Sequence, residues 1–304
     1  MTNQIIVQLN PDVPPTGSDL GIVNAARKSF GRRSEWDCCG ASTDYEGSVV
    51  QWVDKSSKYL KQKDKRLLEF LARGMTADDF DAFVDRAMTC GGGRQGLWDQ
   101  LPELGDDSEE HLSYKSELKE LLWQWRNTPT HDTPFNHGFF SFEVKAPVFV
   151  ARHLVKHEYL IMSEYSRRYI TDDVEFYTPD VWRKAAADVK QGSEGVITTS
   201  CVLDYAGEHT HPRFAANDVN EYALVIYKNM ISSGVAPEQA RMVLPQSLMT
   251  SWTWSGTLGA FANLCKLRLS KDTQYETRLV AQGVYAELKK QFPVAAPLLV
   301  EGVL

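Results

Sequence analysis

The segment from His137 to Tyr165 restrains the fold more than any other part of the chain. It begins with HGFFSFEVK, in which Phe140, Phe142 and Val144 alternate with polar residues, as in a strand with one buried face. Pro147 follows, and the apolar residues up to position 165 have the spacing of a helix that begins with proline in its first turn. We therefore predict a strand over 137–145 that leads into a helix over 147–165.

The other predicted elements belong to a mixed fold. Apolar periodicity and turn residues indicate strands at 5–9, 48–53 and 174–179, and helices at 64–73, 77–89, 218–232, 257–269 and 272–290, with a short helix that begins at Pro237. Strands and helices do not alternate regularly and no repeat is present, so we predict an α+β fold with one domain over 1–304. The glycine run at 91–93 is not preceded by a hydrophobic strand, so it is interpreted as an ordinary loop rather than a phosphate loop.

Composition limits the partners that the chain can bind. The chain has 304 residues, of which 43% are hydrophobic and 24% charged, and its formal net charge is −7. A phosphate-bearing ligand would therefore need a local cluster of Arg and Lys, and general binding of nucleic acid is disfavoured.

Cysteine usage and hydropathy indicate the compartment. Five cysteines occur, without paired CxxC units or the spacing of a secreted disulfide framework, which favours a reducing cytoplasm. The chain begins without a basic and apolar leader and contains no run of about 18 apolar residues, so we expect a cytoplasmic protein that does not enter a membrane.

Cationic residues cluster in and after the predicted 147–165 helix. Arg152 and Lys156 are four residues apart, and Ser166, Arg167 and Arg168 follow where the helix is expected to fray. Hydroxyl, backbone N–H and guanidinium groups together suit a phosphate, although a solvated helix end would have the same residues.

Two further arginines are candidates for anion binding. Arg241 lies in a mostly apolar stretch that ends at a proline, and Arg268 ends the apolar run TLGAFANLCKLR. A buried guanidinium needs a carboxylate or phosphate partner. A structural salt bridge, or an extended side chain that reaches solvent, is the alternative for each.

Histidines at helical spacing raise the question of a metal. His153 and His157 are four residues apart, and His209 and His211 could complete a site. The zinc-peptidase helix requires Glu directly after its first His, whereas Leu154 stands there. We therefore predict no metal, and a metal-dependent hydrolase remains an alternative.

The motifs around these cations resemble those of flavin-dependent thymidylate synthases. That family has an Arg-His-Arg triplet and then an Asn-Glu-x-Ser-x-Arg-Tyr run, which correspond here to 156–158 (KHE) and 163–169 (SEYSRRY) at the same spacing. Other segments resemble family segments in the same order: AARKSF (25–30), HDTPFNH (131–137), FEVKAPVFVAR (142–152), SGVAPEQARMVLP (233–245) and LRLSKDTQYE (267–276). The resemblance extends from about residue 22 to near 290, with an enlarged segment at about 31–130.

The resemblance implies a fold and a set of site residues. The family fold is an antiparallel sheet packed with long helices. The residues implied for the nucleotide are Lys156, Glu164, Ser166, the backbone of Arg167, Arg168, Arg241 and Arg268. The residues implied for the flavin are Ser29, Thr133, His157 and Asn263, with His131 near flavin and folate. Arg268 would be catalytic, because it stabilises the negative charge that develops on the pyrimidine ring.

The implied reaction transfers a methylene from methylenetetrahydrofolate to C5 of dUMP. Reduced FAD supplies a hydride to give dTMP, and NADPH regenerates the flavin. Family members are homotetramers whose sites are shared between subunits, and they need no cysteine nucleophile, so we expect both properties here.

Several residues depart from the family pattern. Lys156 and Glu158 replace the two arginines of the triplet, His153 replaces a Gln, Ser163 an Asn, and Asp272 a His. Changes beside the substrate and cofactor leave alternatives open. The product could be hydroxymethylated, the base could be cytosine, or the chain could be a nucleotide-binding homologue without flavin or catalysis.

Overall fold

The computed structural model describes residues 4–37, 39–43, 49–53, 58–73, 131–186, 193–197, 202–203 and 214–301. Ten strands are described in this part of the chain: β1 (Ile6–Leu9), β2 (Cys39–Thr43), β3 (Val49–Val53), β4 (Phe139–Pro147), β5 (Leu160–Glu164), β6 (Arg183–Ala185), β7 (Ser193–Val196), β8 (Val202–Leu203), β9 (Phe214–Ala215) and β10 (Met249–Thr257).

The same ranges contain eight α-helices and two short 3-10 helices. The α-helices are α1 (Asp19–Lys28), α2 (Gln62–Arg73), α3 (Val148–Leu154), α4 (Ala216–Ser232), α5 (Pro237–Ala240), α6 (Leu258–Arg268), α7 (Tyr275–Gln291) and α8 (Ala295–Val300). The 3-10 helices are Thr133–His137 and Arg241–Val243. None of the helices in the described ranges combines the length and the apolarity needed to cross a membrane.

A four-stranded antiparallel sheet in the order β1-β4-β10-β5 carries the main core. The predicted alternation in β4 is confirmed, since Phe140, Phe142 and Val144 are all buried. Phe261 of α6 packs edge-on against Phe142 and Trp254, with ring centroids 4.9 and 5.4 Å apart. Such contacts add to the apolar burial that holds a helix on a sheet. The α+β class and the antiparallel sheet are therefore confirmed.

The predicted helix over 147–165 is wrong beyond its first two turns. Helix α3 ends at Leu154, Tyr159 adopts a left-handed backbone with φ 63°, and the chain then returns as β5. Strand β5 pairs with β10 from Trp252↔Glu164 to Gly256↔Leu160. The apolar spacing of this segment fits a helix and a strand, and the hydrogen bonds to β10 stabilise the strand.

Strand β10 was not predicted from the sequence, and one predicted strand is shorter than expected. The segment MTSWTWSGT alternates Trp252 and Trp254 with β-branched and small residues, which is a strand signal. The strand predicted at 174–179 is reduced to an isolated bridge between Phe176 and Leu248.

Most other predicted elements are confirmed, and their bounds differ from the predicted ones by a few residues at most. The strands at 5–9 and 48–53 correspond to β1 and β3, and the helices at 64–73, 218–232, 257–269 and 272–290 correspond to α2, α4, α6 and α7. The short helix that begins at Pro237 is α5. The helix at 77–89 and the glycine run at 91–93 lie outside the described residues.

The chain forms two compact units. The first comprises Met1–Thr16 and Phe139–Leu288, and the second comprises Gly17–Gly138 and Lys289–Leu304. In the second unit the buried Asp64 carboxylate accepts hydrogen bonds from Arg27 (Nη2, 2.6 Å) and from the Ser34 hydroxyl (2.8 Å), which ties α2 to α1. The assignment of 1–304 to one catalytic domain stays a prediction.

Gly283 in α7 allows this helix to lie close against β1. A β-carbon added at Gly283 would lie 2.7 Å from Cβ of Val7. We predict that Gly283→Ala lowers the free energy of unfolding by about 1–3 kcal/mol, because overpacking forces the helix or the strand to shift. Urea denaturation of both proteins measures the change.

Gly21→Ala is the matched control. In α1 an added β-carbon would meet only Ser18 Oγ, at an ordinary contact distance of 3.5 Å. Alanine favours a helix over glycine, so Gly21→Ala should raise the free energy of unfolding by roughly 0.5–1 kcal/mol. Effects of the same sign and size at both positions would contradict the close packing of α7 on β1.

Candidate functional site

An open cavity of about 670 Å³ lies in the first unit, between α3, the end of β5 and the segment from Arg241 to Thr250. Its polar lining residues are Arg152, Glu164, Ser166, Arg167, Arg168, Arg241, Gln246 and Thr250. We call this cavity the arginine pocket. Five residues that the resemblance implied for the nucleotide meet there: Glu164, Ser166, Arg167, Arg168 and Arg241.

The charge of the arginine pocket is opposite in sign to that of the whole chain. Four arginine residues line it against one acidic residue, Glu164, although the formal net charge of the protein is −7. A concave surface lined by one sign of charge concentrates ligands of the other sign. The pocket is therefore suited to a small anion such as a phosphate monoester.

Glu164 is held in place at the end of β5. The Thr250 hydroxyl of β10 donates to Glu164 Oε1 at 2.8 Å, and the backbones of Glu164 and Trp252 face each other in the sheet. Thr250 is buried whereas Glu164 is exposed, so the carboxylate keeps acceptor capacity for a ligand hydroxyl.

The guanidinium groups of Arg168 and Arg241 are available to a ligand. Arg168 is exposed, and its backbone N–H and Nε–H both point to Ser166 Oγ at 3.4 Å. Arg241 is also exposed, and its Nε–H donates to the Glu238 carbonyl at 3.3 Å. Within the described residues, the side-chain hydrogen bonds of Arg168 and Arg241 involve only Nε–H, and the Arg168 guanidinium also lies 5.2 Å from the ring centre of Tyr169. The terminal N–H groups can therefore form bidentate pairs with phosphate oxygens.

Arg167 supports the pocket through its side chain. It is buried and donates to the carbonyls of Asp172 and Asp173, the latter at 2.8 Å, and its guanidinium lies 5.1 Å from the ring centre of Tyr165. The side chain therefore ties the turn that carries Ser166 and Arg168. The group that the resemblance implies for the nucleotide is the backbone of Arg167, and this stays a prediction.

Arg268 forms a different contact from the pocket arginines. Its Nε–H donates to Nε2 of His157 at 2.9 Å, and it is absent from the lining of the arginine pocket. Lys156 is also absent from that lining and is exposed, beyond the end of α3. Burial first, and then the charges of Arg268 and His153, lower the pKa of His157 to about 4.

The residues implied for the flavin are divided between the two units. Ser29, His131 and Thr133 lie in the second unit, whereas His157 and Asn263 lie in the first. The Ser29 hydroxyl donates to the Ala26 carbonyl at the end of α1, and the His131 ring lies 6.2 Å from the Phe70 ring. Asn263 is exposed on α6.

The histidine pair does not form the helical metal site considered from the sequence. His157 lies beyond the end of α3, and Nδ1 of His153 lies 3.0 Å from the Thr277 hydroxyl. Within the described ranges no group of three or more His, Cys, Asp or Glu residues is placed to hold a metal ion. His209 and His211 lie outside those ranges.

Three of the polar residues that line the pocket were not assigned from the sequence: Arg152, Gln246 and Thr250. Arg152 lies on the same face of α3 as Val148, and both line the pocket. The sequence signal for Arg152 was its position as a cation on an apolar helix. Gln246 follows Leu244 and Pro245 in a loop, where no periodic pattern indicates which way a side chain points.

The fold and the pocket together define an α+β protein with an arginine-lined cavity at the edge of an antiparallel sheet. The chain belongs to the Thy1 family, described as thymidylate synthase complementing protein, whose model matches residues 16–294.

Curated relatives carry a consistent name. Flavin-dependent thymidylate synthase of Thermus thermophilus is 36% identical over 165 residues, which cover 54% of this chain and 57% of the relative. The enzyme of the same name from Thermosipho africanus is 33% identical over 163 residues, which cover 54% of this chain and 68% of the relative. The chain thus spans little more than half the length of the Thermus relative.

Solved structures with the same fold include a UMP/dUMP methylase, PolB from Streptomyces cacaoi, bound with 5-Br dUMP. It matches with a TM-score of 0.54 and 20% identity, over 97% of this chain and 94% of that one. The same enzyme bound with 5-Br UMP gives a TM-score of 0.54 over 98% and 95%. At this identity the likeness concerns the fold.

The low pKa of His157 predicts a loss of stability in acid. The unfolded chain binds a proton on His157 near pH 6.5, whereas the folded protein does so only near pH 4. The contribution of His157 to stability is therefore complete above about pH 6.5 and is lost as the pH falls towards 4. We predict that His157→Gln, which cannot titrate, shows a smaller fall in the free energy of unfolding between about pH 7 and about pH 4.5.

Urea denaturation of both proteins at the two pH values measures this difference. The remaining titratable groups, including His153, are common to both proteins and cancel in the comparison. An equal fall in both proteins would mean that His157 titrates near its ordinary pKa.

Proposed function

We propose that the protein transfers a one-carbon unit to C5 of a pyrimidine deoxynucleoside monophosphate and converts dUMP to dTMP. Methylenetetrahydrofolate would supply the carbon, and NADPH the reducing equivalents through bound FAD. The observation that carries the proposal is the arginine pocket, in which Ser166, Arg168 and Arg241 surround a space suited to a phosphate monoester.

The pocket offers separate groups to the phosphate and to the sugar. Arg168 and Arg241 present terminal N–H groups, and Arg152 adds a third exposed guanidinium, which together can neutralise a phosphate dianion. Glu164 keeps a free acceptor oxygen beside the Thr250 bond, and a sugar hydroxyl can donate to it. These groups favour a nucleoside monophosphate over free phosphate.

Arg268 would act on the pyrimidine ring. When C5 attacks the methylene carbon, negative charge develops on the ring, and a guanidinium that stays protonated stabilises it. A cysteine nucleophile is not part of this proposal, and Cys265, whose side chain is described, is buried in α6 with its thiol pKa raised by burial. A free buried thiol agrees with the proposed cytoplasmic location.

The first unit offers hydrogen-bonding groups of the kind that a flavin needs. Asn263 is exposed, and His157, neutral above its low pKa, keeps an Nδ1–H for a carbonyl. Amide and imidazole N–H groups suit the ring edge of FAD. Lys156, which is also exposed, is proposed to bind the nucleotide. Bound FAD would supply the hydride that completes the methyl group. We also propose Ser29, His131 and Thr133 as flavin-binding residues, as the resemblance implies.

We propose that the protein is a homotetramer whose sites are shared between subunits. Arg268 and His157 do not line the arginine pocket of their own chain, so a partner's Arg268 can complete it. Helix α4 supports self-association, because Val219, Tyr222, Val225 and Ile226 lie along it with about half of each side chain exposed. An exposed apolar stripe of this kind usually marks an interface.

The identity of the base and of the product can be tested by mass spectrometry. We predict that the purified protein with FAD, NADPH and methylenetetrahydrofolate converts dUMP into a product heavier by one methylene group, which is dTMP. The solved structures with the same fold are of a UMP/dUMP methylase, which supports uracil as the base. A gain that includes one further oxygen would identify hydroxymethylation, a gain with dCMP alone would identify cytosine, and no gain with either would contradict the proposal.

The shared site can be tested by mixing two inactive variants. Arg168→Ala should lose phosphate binding and Arg268→Ala should lose the chemical step, each with a fall in kcat/KM of about a hundredfold or more for dUMP. When the two variants are co-expressed, about a quarter of the sites receive both arginines by random assortment between two chains. We therefore predict recovery of about a quarter of wild-type activity.

As a control for the co-expression experiment, the two variants are purified separately and mixed briefly before the assay. It tests whether recovery requires assembly of mixed tetramers. Activity that stays at the level of the single variants after co-expression would mean that both arginines serve a site within one chain.

A further inference from the structure

Arg268 is held by one short hydrogen bond. It is the last residue of α6, and its Nε–H donates to Nε2 of His157 at 2.9 Å. An arginine side chain at a helix end has several rotatable bonds, and a bond at Nε fixes the plane of its guanidinium. The two terminal nitrogens, with their four N–H groups, then remain for a ligand.

The bond requires His157 in a defined protonation state. Nε2 must accept, so the neutral ring carries its proton on Nδ1. Burial first, and then the coulombic effects of Arg268 and His153, lower the pKa of His157, so the ring is neutral near pH 7. Nδ1 of His153 lies 3.0 Å from the Thr277 hydroxyl, and burial, Arg268 and Lys156 lower the pKa of His153 as well.

From this geometry we propose that His157 is a positioning residue for Arg268, and that its neutral ring aims the guanidinium at the pyrimidine. This inference rests on the proposed function, in which Arg268 contacts the ring. It gives His157 a role in addition to the flavin contact that the resemblance implied. Its replacement should impair the chemical step more than nucleotide binding, because the phosphate is bound elsewhere, in the arginine pocket.

The pairing itself can be observed by NMR without turnover. In protein labelled with ¹⁵N-arginine, the Arg268 Nε–H should exchange slowly with solvent and give a resolved signal, which Arg268→Lys removes and thereby assigns. His157→Leu should abolish the slow exchange, whereas His157→Gln, whose side-chain oxygen can accept, should retain part of it. His137→Leu, at an exposed histidine of the 3-10 helix, is the control that should leave the signal unchanged.

The catalytic consequence is measured with the variants at saturating FAD, with the flavin absorbance recorded for each. We expect His157→Leu to lower kcat about tenfold or more while KM for dUMP changes less than about threefold, and His157→Gln to recover most of kcat. A fall in kcat that occurs only at subsaturating FAD and disappears at saturating FAD would assign His157 to flavin binding alone and overturn the positioning role.

Two further results would overturn the inference. One is an Arg268 signal that does not change in His157→Leu, and the other is full kcat in that variant. If the wild-type protein had no turnover with any pyrimidine nucleotide, the proposed function would fail together with the kinetic role, and the N–H signal would still decide separately whether His157 holds Arg268.

Discussion

The pairing of β10 with β4 on one side and β5 on the other is the interaction on which the first unit depends. Its register sets Trp252 opposite both Val144 and Glu164, so the end of β5 and the start of β10 meet at one edge of the sheet. The Thr250 hydroxyl reaches the Glu164 carboxylate only because of this register. A register shift of one residue between β5 and β10 would turn Glu164 to the opposite face of the sheet and disrupt the arginine pocket.

The arginine pocket concentrates positive charge on an acidic protein. Guanidinium groups so close together repel one another unless an anion lies between them, which means that part of the nucleotide affinity would come from relief of this repulsion. Arg167 adds less to this repulsion, because its guanidinium donates hydrogen bonds to backbone carbonyls and lies against the Tyr165 ring. Arg168 and Arg241 are exposed, so water stabilises their charge until a ligand binds.

The sequence predicted the elements with strong periodicity and failed where two periodicities coincide. The alternation in β4 and the apolar spacing of α4, α6 and α7 reflect burial on one face, which a single chain records locally. The apolar spacing of residues 155–165 fits a helix. Residues 160–164 nevertheless form β5, because they pair with β10, whose residues lie about ninety positions further along the chain. Three of the pocket arginines, Arg167, Arg168 and Arg241, could be selected from the family motifs, whereas Arg152 was not. The contacts of the Arg167 side chain and the contribution of Gln246 depend on loop geometry.

In the proposed complex, guanidinium groups from distant segments bind the phosphate of one pyrimidine nucleotide. A crystal structure of the protein with dUMP would show whether they do. We expect the phosphate between Arg168 and Arg241, with Ser166 in hydrogen-bond contact and an Arg268 against the base. A phosphate bound away from the arginine pocket, with Arg168 and Arg241 turned into solvent, would contradict it.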